Sequence, residues 1–132
     1  MKIAVSSIGK NIDSTVSDIF GRCRYFIIVE IENKKITGTQ TIENLNTKKA
    51  GSAGISAAQA VAEKGVSAVI TGNVGPKALD VLNQFNIKIY IGAGTVKEAI
   101  QKFIDGKLKT IGDTNEDSNT NRRKGRIKGK DS

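Results

Sequence analysis

The sequence predicts a small α/β domain, a mixed five-stranded sheet covered by helices, over residues 1–112. Two observations carry this prediction. A β-prone hairpin segment lies near the start, and from residue 52 onward capped helical stretches alternate with short apolar strands.

KIAVS, beginning at Lys2, reads as a short buried strand. After a polar loop, YFIIVEI (25–31) is strongly β-prone. Glu32, Asn33 and Lys34 read as a turn, and ITGTQTI (36–42) partly alternates. The pair therefore reads as a hairpin with one solvated face. SAGISAAQAVAEK then places Ile55, Ala58, Val61 and Ala62 on one helical face, and Gly65 stands where a left-handed cap is needed. VSAVIT (66–71) is continuous enough to be a strand covered on both faces. Pro76 suits the first position of a second helix, where its missing N–H costs nothing, with Ala78, Leu79, Leu82 and Phe85 facing inward. Asn86 can close that helix in the left-handed conformation, and IKIYI (87–91) follows as a strand. The last helix is the best specified. Thr95 and Glu98 form a capping box, and Val96, Ala99, Ile100, Phe103 and Ile104 make an apolar stripe that Gly106 ends.

The remaining residues, 113–132, contain one large apolar residue, Ile127, and cannot offset the entropy of ordering. They are expected to form a disordered basic tail. Of the net charge of +8, residues 1–112 contribute 15 Lys/Arg against 9 Asp/Glu, and the tail 6 against 4. RRKGRIKGK can attract phosphate backbones or acidic proteins, but no aromatic residue interleaves it for base stacking. The plainer reading is a solvated extension. The opening MKIAVSSIGK has too short an apolar run for a signal peptide or a membrane span. One cysteine excludes an internal disulfide. A cytoplasmic protein without membrane contact is expected.

Ligands of open α/β sheets bind beyond the carboxyl ends of the parallel strands. Three such ends are legible: Ser6-Ser7-Ile8-Gly9, TGNVGP (71–76) and GAGT (92–95). The last two open helices, whose unpaired N–H groups favour anions where glycine lets a ligand approach. TGNVGP lacks the ending of a Walker A loop, and GAGT falls short of a dinucleotide fingerprint. Tight turns alone would also explain these glycines. Cys23 lies in FGRCRYF between Arg22 and Arg24, cations expected to lower its pKa toward the metal-binding thiolate. The competing reading is a small buried hydrophobe. Without histidine, Ser-His-Asp and Cys-His catalysis are impossible, and one cysteine cannot build an ordinary zinc site. Glu30, Asp13 and Asp18 match no metal-binding spacing. The chain reads as a binder, not an enzyme.

Taken in order, MKIAVSS, STVSDIFGRCRYFIIVEIENKKI, TIEN, ITGNVGPKALDVL, IKIYIGAGTVKEAI and FIDGKL resemble the dinitrogenase iron-molybdenum cofactor biosynthesis family over about residues 1–112. The resemblance implies a ribonuclease H-like, three-layer α/β/α fold. It further implies non-enzymatic binding or carriage of an anionic iron-sulfur or molybdenum-containing cluster, or an oxyanion, with cluster donor or acceptor proteins as partners. Family positions match at Phe20, Gly21, Arg22, Tyr25, Phe26, Gly72, Gly75, Pro76, Gly94 and Thr95, and cysteine occurs at the Cys23 position in some members. Many members carry histidine after TIEN, where this chain has LNTKKAGSAGIS with Lys48 and Lys49. The candidate binding residues are therefore Ser6, Arg22, Cys23, Arg24, Gly72, Asn73, Gly75, Gly92, Gly94 and Thr95, with Cys23 as candidate metal ligand. Two other readings stay open: an interaction module whose basic tail docks nucleic acid or an acidic partner, and a phosphate or nucleotide binder.

Overall fold

A computed structural model of the chain describes residues 1–44 and 53–111. Lys48 and Lys49 and the whole tail lie outside the described residues. The elements run β1 (Lys2–Ser7), a 3₁₀ turn (Phe20–Arg22), β2 (Tyr25–Glu32), β3 (Lys35–Glu43), α1 (Ala53–Glu63), β4 (Ala68–Thr71), α2 (Pro76–Gln84), β5 (Lys88–Ile91), α3 (Val96–Ile104) and β6 (Lys109–Ile111). One mixed sheet has the order β3-β2-β1-β4-β5-β6, with β1, β4 and β5 parallel. The sheet has six strands, not the five expected. The additional one is β6, which pairs antiparallel with β5 from Ile89↔Ile111 to Ile91↔Lys109. Three residues after a helix-ending glycine carry no periodicity of their own. Their strand character comes from β5.

Alternation along β1 and β2 divides the core between two faces. Ala4, Phe26 and Ile28 join Ala57, Ala58 and Val61 of α1 and Ala78 and Leu82 of α2 on one face. Ile3, Val5, Ile27 and Val29 join Val96, Ala99 and Ile100 of α3 on the other. The result is three layers, with α1 and α2 on one side and α3 on the other. Each fully buried Ile, Leu or Phe contributes about 1.5–3 kcal/mol.

Local signals set most boundaries. Asn33 and Lys34 take φ of 53° and 66°, the left-handed pair that turns a two-residue hairpin. Gly65, Asn86 and Gly106 take φ of 76°, 60° and 72° where the first, second and third helices end. Two helix faces differ from expectation. In α1 the buried residues are Ala53, Ala57, Ala58 and Val61, whereas Ile55 and Ala62 are half-buried. In α2, Ala78 and Leu82 are buried, Leu79 only partly, and Phe85 is 53% exposed. Phe85 is the C-cap. Asn86 N–H donates to the Asn83 carbonyl (3.0 Å) and Ile87 N–H to that of Leu82 (2.9 Å), a Schellman closure that turns Ile87 inward instead.

Residues 8–19 cross the carboxyl ends of the parallel strands and are bonded to each. Ser17 N–H donates to the Ser6 carbonyl (2.9 Å), Gly72 N–H to that of Ser17 (3.1 Å), and Val16 N–H to that of Gly94 (2.8 Å). No helix among the described residues is long and apolar enough to cross a membrane.

Candidate anion-binding site

β4 and β5 end side by side, Gly92 N–H donating to the Thr71 carbonyl (3.0 Å), so the two predicted turns do share one sheet edge. Their helices then leave on opposite faces, so the turns do not form one site.

The α3 turn is already filled by protein. The Thr95 hydroxyl accepts from Glu98 N–H (3.1 Å), and Glu98 Oε1 accepts from Thr95 N–H (2.9 Å). Val96 N–H donates to the Ser14 carbonyl and Lys97 N–H to that of Ile12, both at 2.8 Å. The free helix N-terminus expected at GAGT is thus corrected: loop carbonyls and the Glu98 carboxylate take its donors. Gly94 (φ 82°) and Thr95 shape this cap. Glu98 is held below the usual carboxylate range by its bonds to Thr95, the backbone N–H foremost.

The α2 turn is different. Its N-cap, Gly75, has no side chain to cap with, and Pro76 has no N–H. No acceptor among the described residues takes the amides of Lys77 or Ala78. A cavity of about 350 Å³ opens here, lined by Gly75, Pro76, Lys77 and Ala78, by Ala53, Gly54 and Ile55 of α1, and by Ile19, Gly21 and Arg22. The N-terminus of α2, the first described turn of α1 and two cationic side chains therefore border one cavity. Backbone proximity brings them together: a Cβ on Gly21 would stand 2.7 Å from Gly54 Cα, and one on Gly54 would stand 3.1 Å from Ala78 Cβ. At Gly75, by contrast, a Cβ would meet nothing within 4 Å. Neither packing nor backbone angle (φ −74°) requires glycine there.

Cys23 is displaced from its expected role. It is 1% exposed, packed with Phe20 and Phe26 in the core beneath α1 and α2, and its Sγ donates to the Phe20 carbonyl (3.1 Å). Burial pushes its thiol up to about 12 from an ordinary 9.0, outweighing the hydrogen bonds that favour the thiolate. The expected lowering by Arg22 and Arg24 is therefore corrected. Cys23 takes an extended conformation where the 3₁₀ turn ends, and Arg22 and Arg24 on either side are exposed while the sulfur is buried. Asn44 clasps this segment, its Nδ2 donating to the carbonyls of Cys23 (2.9 Å) and Gly21 (3.2 Å).

The other predicted residues serve the scaffold. Ser6 is fully buried, its hydroxyl donating to Thr71 Oγ1 (2.8 Å) or the Ser17 carbonyl (3.2 Å). At Gly72 a Cβ would stand 2.8 Å from Asp18 Cα. Asn73 accepts from Phe20 N–H through its carbonyl (2.9 Å) and from Val74 N–H through Oδ1 (2.8 Å). Arg24 is exposed and lines no cavity described above. Gly92 lines a second cavity, of about 390 Å³, with Lys102, Lys107 and Lys109 on its rim. Among the predicted residues, Arg22 and Gly75 remain at the α1–α2 cavity. Sequence reasoning missed Lys77 and Gly54; Lys77 was readable as the residue after the helix-opening proline. No group of three His, Cys, Asp or Glu side chains able to hold a metal occurs among the described residues.

The chain resembles known proteins over this whole unit. It is 39% identical over 111 residues to the uncharacterized protein MJ0580 of Methanocaldococcus jannaschii, covering 83% of this chain and 94% of that protein. The apo form of the orange protein from Desulfovibrio gigas superposes with a TM-score of 0.77 at 33% identity, covering 83% of this chain and 91% of that one. A Thermotoga protein described as a NifB candidate of the DUF35 family gives 0.73 at 33% identity, covering 89% and 98%. The model of the dinitrogenase iron-molybdenum cofactor family matches residues 1–106, and the chain belongs to that family.

Proposed function

We propose that this protein holds an anionic metal-sulfur cluster or oxyanion in the α1–α2 cavity and carries it during metal-cofactor assembly, without catalysing a reaction. The observation that carries this reading is the cavity bordered by the uncapped N-terminus of α2, the first described turn of α1, Arg22 and Lys77. Backbone N–H groups and fixed cations recognise an anion by charge and hydrogen bonding, and none of them is a metal ligand. Capture is therefore outer-sphere: the cargo keeps its own sulfur or oxygen ligands, and Cys23 takes no part. Family membership supports a role in iron-molybdenum cofactor biosynthesis, and the name of the orange protein fits a coloured cargo.

Anaerobic ultrafiltration with tetrathiomolybdate tests the reading, with molybdate, phosphate and nucleotides as parallel probes. Retained tetrathiomolybdate should keep its free-solution spectrum, and Arg22→Ala with Lys77→Ala should abolish retention. Cys23→Ala and Lys102→Ala should not change it. Retention lost with Lys102→Ala instead would move the site to the second cavity. Equal retention by all variants would overturn the proposal, and a preference for phosphate or nucleotides would replace the cargo.

A further inference from the structure

β3 is the outermost strand on its side of the sheet, and among the described residues only β2 pairs with it. Its outer row of backbone groups is a template for another strand. Proteins commonly blunt such edges with a charge in mid-strand, a proline, a bulge or a short length. This strand is nine residues long, and Ile36 through Ile42 contains neither charge nor proline. A bulge at Thr37, near one end, is the one such device in this strand, and Gly38 through Glu43 stay in regular register with β2. Ile36 is 38% exposed, and most of the strand is exposed with it.

Charge lies only at the ends, with opposite signs. Lys34 and Lys35 stand at the start and Glu43 at the finish. Two copies laid antiparallel about Thr39 place Thr39 against Thr39 and Gly38 against Gln40. Each Glu43 then falls beside the Lys34–Lys35 end of the other copy. The strand is thus complementary in charge to itself. A parallel arrangement would set like charges together, which opposite strand positions disfavour. From this complementarity we infer that β3 pairs antiparallel with β3 of a second copy of this chain, continuing one sheet through both. A two-fold axis at Thr39 makes the contact closed, so association stops at the dimer.

Sedimentation velocity of the full chain from about 10 µM to about 1 mM tests this, since affinities in that range are resolved there. A concentration-dependent dimer is expected, with slowed amide exchange confined to the outward-facing amides of residues 36–43. Thr39→Lys meets its own copy across the axis and should leave monomer throughout. Thr39→Asp does the same should the lysine variant lose its fold. Glu43→Lys should weaken the dimer about tenfold. Adding Lys34→Glu and Lys35→Glu to it should restore association. Monomer at every concentration, or a dimer that survives both Thr39 variants, overturns the inference.

Discussion

Gly72 and Gly75 flank the same turn yet are glycine for different reasons, and replacing each by alanine separates scaffold from site. At Gly72 the new Cβ would stand 2.8 and 2.9 Å from Asp18 Cα and O, backbone atoms of the segment that crosses the strand ends. That segment is tied at Ser17, Val16 and Ser14, so it cannot yield without breaking other bonds. Overpacking of this kind costs about 1–3 kcal/mol. At about 4–8 °C per kcal/mol for a domain of this size, Gly72→Ala should lower Tm by roughly 5–20 °C. At Gly75 two smaller effects oppose one another. Alanine is a poorer N-cap than glycine by about 0.5–1 kcal/mol. It also restricts the unfolded chain, worth about 0.4–1 kcal/mol at φ −74° and ψ 163°, which alanine adopts freely. These nearly cancel, so Gly75→Ala should move Tm by no more than about 5 °C. On the proposed function it should still weaken tetrathiomolybdate retention, because the methyl enters the cavity mouth. Differential scanning calorimetry and the retention assay together decide. Equal Tm losses for both variants, or none at Gly72, would refute the packing argument.

Two further outcomes test the energetics. The raised Cys23 pKa contributes stability that is fully present below the unfolded value of 9.0 and falls as pH rises toward about 12. Urea unfolding should therefore lose up to about 1.4 kcal/mol per pH unit across that window relative to Cys23→Ala, and the native thiol should resist alkylation at pH 9. Thr95→Ala removes the α3 cap and should cost about 1 kcal/mol in urea unfolding. The contribution of Glu98, whose pKa is depressed, is present above its ordinary 4.5 and lost as pH falls through its folded value, so Thr95→Ala should also lessen acid sensitivity.

What was legible in the chain were features decided within a few residues. The Asn33-Lys34 turn, the Thr95–Glu98 box, Pro76 at the start of α2 and the left-handed Asn86 each follow from local sterics or local hydrogen bonds. What escaped was decided across the fold. β6 depends on β5 for its partner, and Phe85 continues a helical stripe that the Schellman closure has already ended. The charges flanking Cys23 are local, but its desolvation comes from Phe20 and Phe26 packing around it, and desolvation is the larger effect. At the site, glycines and Arg22 were readable. The filling of the α3 N-terminus by Ile12 and Ser14, some eighty residues distant in the chain, has no sequence signature.

The segment over residues 8–19 also has a consequence for traffic. By engaging the carbonyl and amide groups above β1, β4 and β5, it fills the strand ends on the α3 side, and the α1–α2 cavity lies on the other side. On the proposed function, a cargo held in the α1–α2 cavity enters and leaves on that side. Proteins that deliver and remove such a cargo would then visit the same doorway in turn, and hand-over would be bounded by departure of the first visitor.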